Sequence, residues 1–103
     1  MDISIVEKIG LPALLEQTAE ECNELAQACL KYARKLRGEN PTPKTEEKCI
    51  EDLNEEAADV MLSIGHLMIE DIVDQKQTLA IGEAKELRWL KRIEEHEMLS
   101  RCL

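Results

Sequence analysis

The sequence predicts an all-α fold: an antiparallel helical hairpin followed by a third helix, with a four-helix bundle formed by oligomerisation. Three observations lead there. Gly and Pro are scarce, at 4 and 3 of 103 residues, whereas the strong helix formers Glu, Leu, Ala and Lys are plentiful. Apolar residues recur every three or four positions in three long stretches. One dense group of breakers, Gly38 to Pro43, separates the first stretch from the second. A length of 103 residues leaves room for one domain, spanning 1–103.

The first helix is expected from about Pro12 to Arg37, with Leu15, Cys22, Leu25, Ala26, Cys29, Ala33 and Leu36 on its apolar stripe. Pro12 suits a first helical turn, where its missing N–H costs nothing. Gly38-Glu39-Asn40-Pro41-Thr42-Pro43 ends this helix and forms the connecting loop. Thr45 is placed to cap the second helix, with Glu46 and Glu47 complementing the dipole of its first turn. That helix is expected to run to about Val73, its apolar face made of Ile50, Leu53, Ala57, Val60, Met61, Ile64, Leu67 and Met68. The third helix is expected from about Gln77 to Leu99, with Leu79, Leu87, Leu90 and Ile93 on one side.

Composition narrows the function. A formal net charge of -9 argues against a nucleic-acid polymer as partner. No apolar run approaches the length of a membrane span, so the chain reads as cytoplasmic with no membrane partner. Cys22, Cys29, Cys49 and Cys102 show no CxxC pairing and read as reduced thiols within the helical core. With no Phe, one Tyr and one Trp, burial rests on aliphatic side chains, and a partner subunit is expected to supplement it.

The most informative pattern is acidic. On a helical wheel, Glu21 and Glu24 share one shoulder of the first apolar stripe, while Glu20 points away from it. Glu56 and Asp59 occupy a shoulder of the second stripe turned in the same sense. Folding the helices into an antiparallel hairpin brings both shoulders to one side. The heights agree too, because Glu21 with Asp59 and Glu24 with Glu56 are each centred on residue 40, inside the expected loop. Four converging carboxylates repel one another, and a cation relieves that repulsion. All the donors are hard oxygens and neither helix carries Glu-x-x-His, which favours Mg²⁺ or Mn²⁺ over iron or zinc.

Glu20-Glu21-Cys22-Asn23-Glu24 and Glu56-Ala57-Ala58-Asp59 together resemble the signature of the MazG-like all-α nucleoside triphosphate pyrophosphohydrolases. The likeness extends from Pro12 through Leu67 and to Lys85-Glu86-Leu87-Arg88-Trp89 and Arg92. It implies hydrolysis of a nucleoside triphosphate to a monophosphate and pyrophosphate, with Glu21, Glu24, Glu56 and Asp59 holding Mg²⁺. It also brings in Glu20 as a further catalytic candidate and Glu24 as the group that orients the attacking water. Lys85, Arg88 and Arg92, at i, i+3 and i+7, are candidates for the substrate phosphates or for a solvated basic face.

Trp89 is expected at a helix or subunit contact, Met61 and Met68 in the core, and His66 and His96 at the surface; Lys31, Tyr32 and Lys35 continue the first helix beyond the acidic pair and are read as exposed, with an approach to the nucleotide as the alternative. Each of the first two helices carries more apolar surface than a hairpin covers, which points to a homodimer, and the resemblance implies dimers or dimers of dimers. A noncatalytic helical dimerisation or adaptor module that retains a divalent-cation site is the alternative reading.

Overall fold

The computed structural model describes residues 4–38 and 43–102. Four helices follow in order: α1 (Ile5–Ile9), α2 (Leu11–Arg37), α3 (Glu46–Ile69) and α4 (Gln75–Cys102). No strand occurs among the described residues. The chain divides into two compact units, 1–72 and 73–103.

In the first unit α2 and α3 pack as an antiparallel hairpin. Gly38 ends α2 with φ 68°, a left-handed conformation that glycine adopts without a Cβ clash, and its N–H reaches Arg34 O at 2.9 Å. Residues 39–42 of the expected loop lie outside the described residues. Thr45 caps α3 as expected, its hydroxyl oxygen accepting from Lys48 N at 3.1 Å. Tyr32 ties the two helices near this end, its hydroxyl donating to Glu46 Oε1 at 2.8 Å.

The short α1 was not expected. Gly10, at φ 87°, breaks it from α2 and accepts the role of its C-cap, with the Gly10 N–H bonded to Val6 O at 2.7 Å. Pro12 then falls in the first turn of α2. Ser4 donates to Glu70 Oε1 at 2.6 Å, joining the start of the chain to the far end of α3.

The end of α3 corrects the sequence reading. The helix stops at Ile69 rather than near Val73. Asp71 N–H bonds Met68 O at 3.0 Å and Ile72 N–H bonds Leu67 O at 3.0 Å, with Asp71 at φ 59°. This is a Schellman ending, in which a left-handed residue satisfies the last carbonyls. It usually announces itself by glycine, and here Asp71 takes the left-handed position, so composition gave no signal.

The seam between α2 and α3 is also rotated from the expected stripes. The buried apolar residues are Leu14, Ala28, Cys49, Val60 and Leu67. Leu14, Ala28 and Cys49 each precede by one residue a position expected inside, namely Leu15, Cys29 and Ile50, all of which are exposed. One step along a helix turns the side chain by about 100°. The seam therefore runs along one edge of the expected stripe: Leu25, Leu53, Val60 and Leu67 belong to both, while Leu15, Cys29 and Ile50 fall on a flank. Cys22 and Cys102 are exposed as well, leaving Cys49 as the buried thiol, and Met61, placed in the core from sequence, is 72% exposed.

The second unit holds α4, started by Asp74, whose Oδ1 accepts from Gln77 N at 2.8 Å. It runs two residues further at its start and three at its end than the expected 77–99. Leu79, Leu87, Leu90 and Ile93 are exposed, and so is Trp89, expected at a contact but 67% exposed here. No described helix is long and apolar enough to cross a membrane.

The left-handed Asp71 gives a direct test of the α3 ending. Asp71→Gly should raise unfolding free energy by up to about 1 kcal/mol, because glycine removes the Cβ penalty at that φ. Asp71→Val should lower it by at least as much. Urea denaturation followed by circular dichroism reads both; a neutral valine variant would contradict a left-handed residue at the end of α3.

Candidate metal and active site

The seam follows alternating steps of four and three residues on each helix. On α2 it passes through Leu14, Thr18, Glu21, Leu25 and Ala28, and on α3 through Cys49, Leu53, Glu56, Val60, Ser63 and Leu67. Glu21 and Glu56 thus stand in line with the buried positions, where an apolar side chain would ordinarily pack. The sequence placed them on the shoulders of the apolar stripes; correcting the stripes by one residue brings them onto the seam. Glu24 and Asp59, three residues further along each helix, emerge on the same side and are exposed.

The four carboxylates converge. One oxygen from each of Glu21, Glu24, Glu56 and Asp59 lies within 4.8 Å of all the others. The pairing at matched heights expected from sequence is therefore what the hairpin brings together. Gln17, one turn before Glu21, donates its amide to Glu21 Oε1 at 2.6 Å and fixes that side chain. The other oxygen, Glu21 Oε2, is shut off from solvent without a hydrogen-bond partner, and so is Glu56 Oε2.

Such oxygens are costly. A buried acceptor that has lost water and gained no donor loses its solvation without compensation, and the cost is greater when it carries charge. The electrostatics agree with the geometry. The Glu24 carboxyl is held above its ordinary range, first because its protonated form can hydrogen-bond to Glu56, then through repulsion by Glu56 and through desolvation. Desolvation, opposed by the Gln17 hydrogen bond, raises Glu21 too, with the charges of Glu24 and Asp59 adding to the effect. A hard divalent cation fits this donor set. It would supply the positive partner that the two orphaned oxygens lack, and carboxylates at this mutual distance can share one ion.

Beside the cluster, the same face carries cations. Lys44, just before α3, bonds Asp52 Oδ2 at 2.7 Å, and Lys48 approaches Asp52 Oδ1 at 3.1 Å. These two ammonium groups hold the Asp52 carboxyl below its ordinary range. Sequence reading did not single out Lys44 or Asp52, because their eight-residue separation has no helical meaning while Lys44 lies outside the helix.

Glu20 and the basic residues of α4 are not part of this group. Glu20 is exposed and stands outside the group of four. Lys85, Arg88 and Arg92 lie in the second unit, exposed along α4. Lys31 and His96 are exposed as expected, whereas Tyr32, Lys35 and His66 are half-buried.

The shifts set a pH profile for the metal-free protein. A carboxyl whose native pKa exceeds its unfolded value holds more protons when folded, so Glu21 and Glu24 make stability increase as pH falls from neutral toward their ordinary 4.5. Asp52 acts oppositely, its contribution being present above its ordinary 3.8 and lost as pH falls below it. Stability measured by chemical denaturation in chelator should therefore pass through a maximum on the acidic side of neutrality. Glu24→Gln should flatten the rise, and a steady fall from pH 7 downward would contradict the raised carboxyls. Comparison of the chain with protein-family models, curated proteins and solved structures finds no match.

Proposed function

We propose that the chain is a Mg²⁺-dependent nucleoside triphosphate pyrophosphohydrolase, with Mn²⁺ as an alternative ion. The observation that carries this reading is the group of four carboxylates with its two unpartnered oxygens, Glu21 Oε2 and Glu56 Oε2. The resemblance of Glu20 to Glu24 and Glu56 to Asp59 to the MazG-like signature gives the reaction class.

Glu21, Glu24, Glu56 and Asp59 would hold the ion. Bound there, a divalent cation supplies positive charge against the phosphate oxygens and Lewis acidity at the reacting centre. Glu24 is the residue for the water. It is exposed at the rim of the group, where its carboxylate can accept a hydrogen bond from a water and orient it toward the α–β anhydride. The P–O bond to the β phosphate breaks and pyrophosphate leaves. No covalent intermediate is needed. Glu20 enters through the resemblance alone, and Lys85, Arg88 and Arg92 through their i, i+3, i+7 spacing on α4.

The hairpin also supports the oligomeric reading. On the side opposite the carboxylates, Cys29, Tyr32, Ala33, Leu36, Ile50 and Leu53 line a largely apolar groove of about 480 Å³. Leu15, Leu36, Ile50 and Met61 are exposed. A second hairpin laid against this flank would complete a four-helix bundle, as a homodimer or dimer of dimers, and leave the acidic side open.

Incubation with a panel of nucleoside triphosphates and Mg²⁺, followed by chromatography, should show a monophosphate and pyrophosphate as the primary products. A diphosphate and orthophosphate would overturn the reaction. Mg²⁺ should raise the melting temperature, because it binds the native state. Glu56→Gln should abolish most of that rise and lower activity by at least about a hundredfold, since loss of an outer-sphere partner alone costs ten- to a hundredfold. For assembly, sedimentation at low micromolar concentration should give a dimer or larger species, dissociating with loss of fold in Ile50→Glu. A fully active, well-folded monomer would refute the bundle.

A further inference from the structure

A polar cleft of about 240 Å³ runs from the carboxylate cluster toward the loop end of the hairpin, lined by Glu24, Gln27, Lys31, Lys44, Asp52 and Glu56. Its two ends differ in sign. Glu24 and Glu56 belong to the acidic group, while Lys31 and Lys44 supply ammonium groups beyond it. On α2, Glu24, Gln27 and Lys31 stand at i, i+3 and i+7, so one helical face carries carboxylate, amide and ammonium in sequence over about 10 Å. From the other wall Asp52 holds Lys44 at 2.7 Å and so fixes a cation at the cleft edge, with Lys48 compensating the Asp52 charge.

We propose that this cleft is the polyphosphate subsite, in which Lys31 and Lys44 bind the pyrophosphate portion of the substrate and Asp52 positions Lys44. The inference rests on the reading of the carboxylates as a divalent-cation site. An anion alone would be repelled by Glu24 and Glu56, and a cation alone leaves Lys31 unused and Lys44 paired only with Asp52. A ligand that meets both ends is an anion carrying its own divalent cation, and a metal-chelated diphosphate has that character. Gln27 lies between the two ends and offers an amide N–H₂ to a phosphate oxygen. The subsite fixes the direction of the substrate: the bond that breaks lies over the carboxylates, and the leaving group points toward the loop between α2 and α3. Phosphate recognition is then built within the hairpin itself, from residues that the acidic signature does not include.

Calorimetric titration of the full chain tests this with two probes, Mg²⁺ alone and inorganic pyrophosphate in saturating Mg²⁺. Wild type should bind both. Lys31→Gln and Lys44→Gln should each weaken pyrophosphate by about tenfold or more, the loss expected for one charge-assisted hydrogen bond. Their Mg²⁺ affinity should be unchanged or slightly tighter, and Lys31→Arg should restore pyrophosphate binding. Asp52→Asn, which frees Lys44 while keeping its charge, should weaken pyrophosphate less than Lys44→Gln does. Circular dichroism establishes that each variant is folded. Mg²⁺ binding without pyrophosphate binding, or pyrophosphate affinity unaffected by either glutamine variant and lost instead in a Lys85→Gln, Arg88→Gln, Arg92→Gln triple variant, overturns the subsite and leaves the metal reading standing. Absence of Mg²⁺ binding in wild type overturns the metal reading and the subsite with it.

Discussion

Two glutamates occupy positions on the α2–α3 seam that packing alone would assign to apolar side chains. Glu21 and Glu56 each leave one oxygen without solvent or donor, and Glu24 and Asp59 add charge at the rim. The hairpin must hold this repulsion against the burial of a small set of aliphatic residues, Leu14, Ala28, Val60 and Leu67 with Cys49. A seam with so little buried apolar area has small reserves. Its polar members are accordingly where cation binding would change stability most, because the groups that weaken the empty hairpin are the ones an ion would satisfy.

The ends of the hairpin keep the carboxylates in register. A slip of α3 along α2 by one turn, about 5.4 Å, would separate the two pairs. Several local devices oppose it. Gly38 closes α2 and Thr45 opens α3, while Tyr32 bonds Glu46 across the helices near the loop. At the other end Ser4 bonds Glu70, next to the left-handed Asp71 that terminates α3. None of these contacts touches the cluster. Together they set the heights at which Glu21, Glu24, Glu56 and Asp59 meet.

The two sides of the hairpin have separate chemistry. One side carries the acidic group and the lysines, and the other carries the groove lined by Cys29, Leu36 and Ile50. This division follows from a 3.6-residue period with two functions written into it. Residues one step after the seam are apolar on both helices except Asn54, and residues three steps after Glu21 and Glu56 are acidic. The charged side and the apolar flank are thus separate surfaces of the one hairpin.

The sequence by itself determined the helical class, the α2 boundaries to within a residue, the cap at Thr45 and the pairing of the four carboxylates. These are local or additive properties: propensity, glycine at a helix end, and the matched spacing of residues on either side of a turn. Tertiary structure decided the rotation of the helices, placing Leu14, Ala28 and Cys49 inside where periodicity pointed to Leu15, Cys29 and Ile50. An apolar pattern sums every face that avoids water and cannot say which one meets the partner helix, whereas packing selects one. The same holds for Asp71 at the end of α3 and for Lys44 against Asp52, because a left-handed residue without glycine and an ion pair formed across a helix start have no periodic signature. What lies near what was legible where the chain repeats its spacing, and only the folded chain could decide the rest.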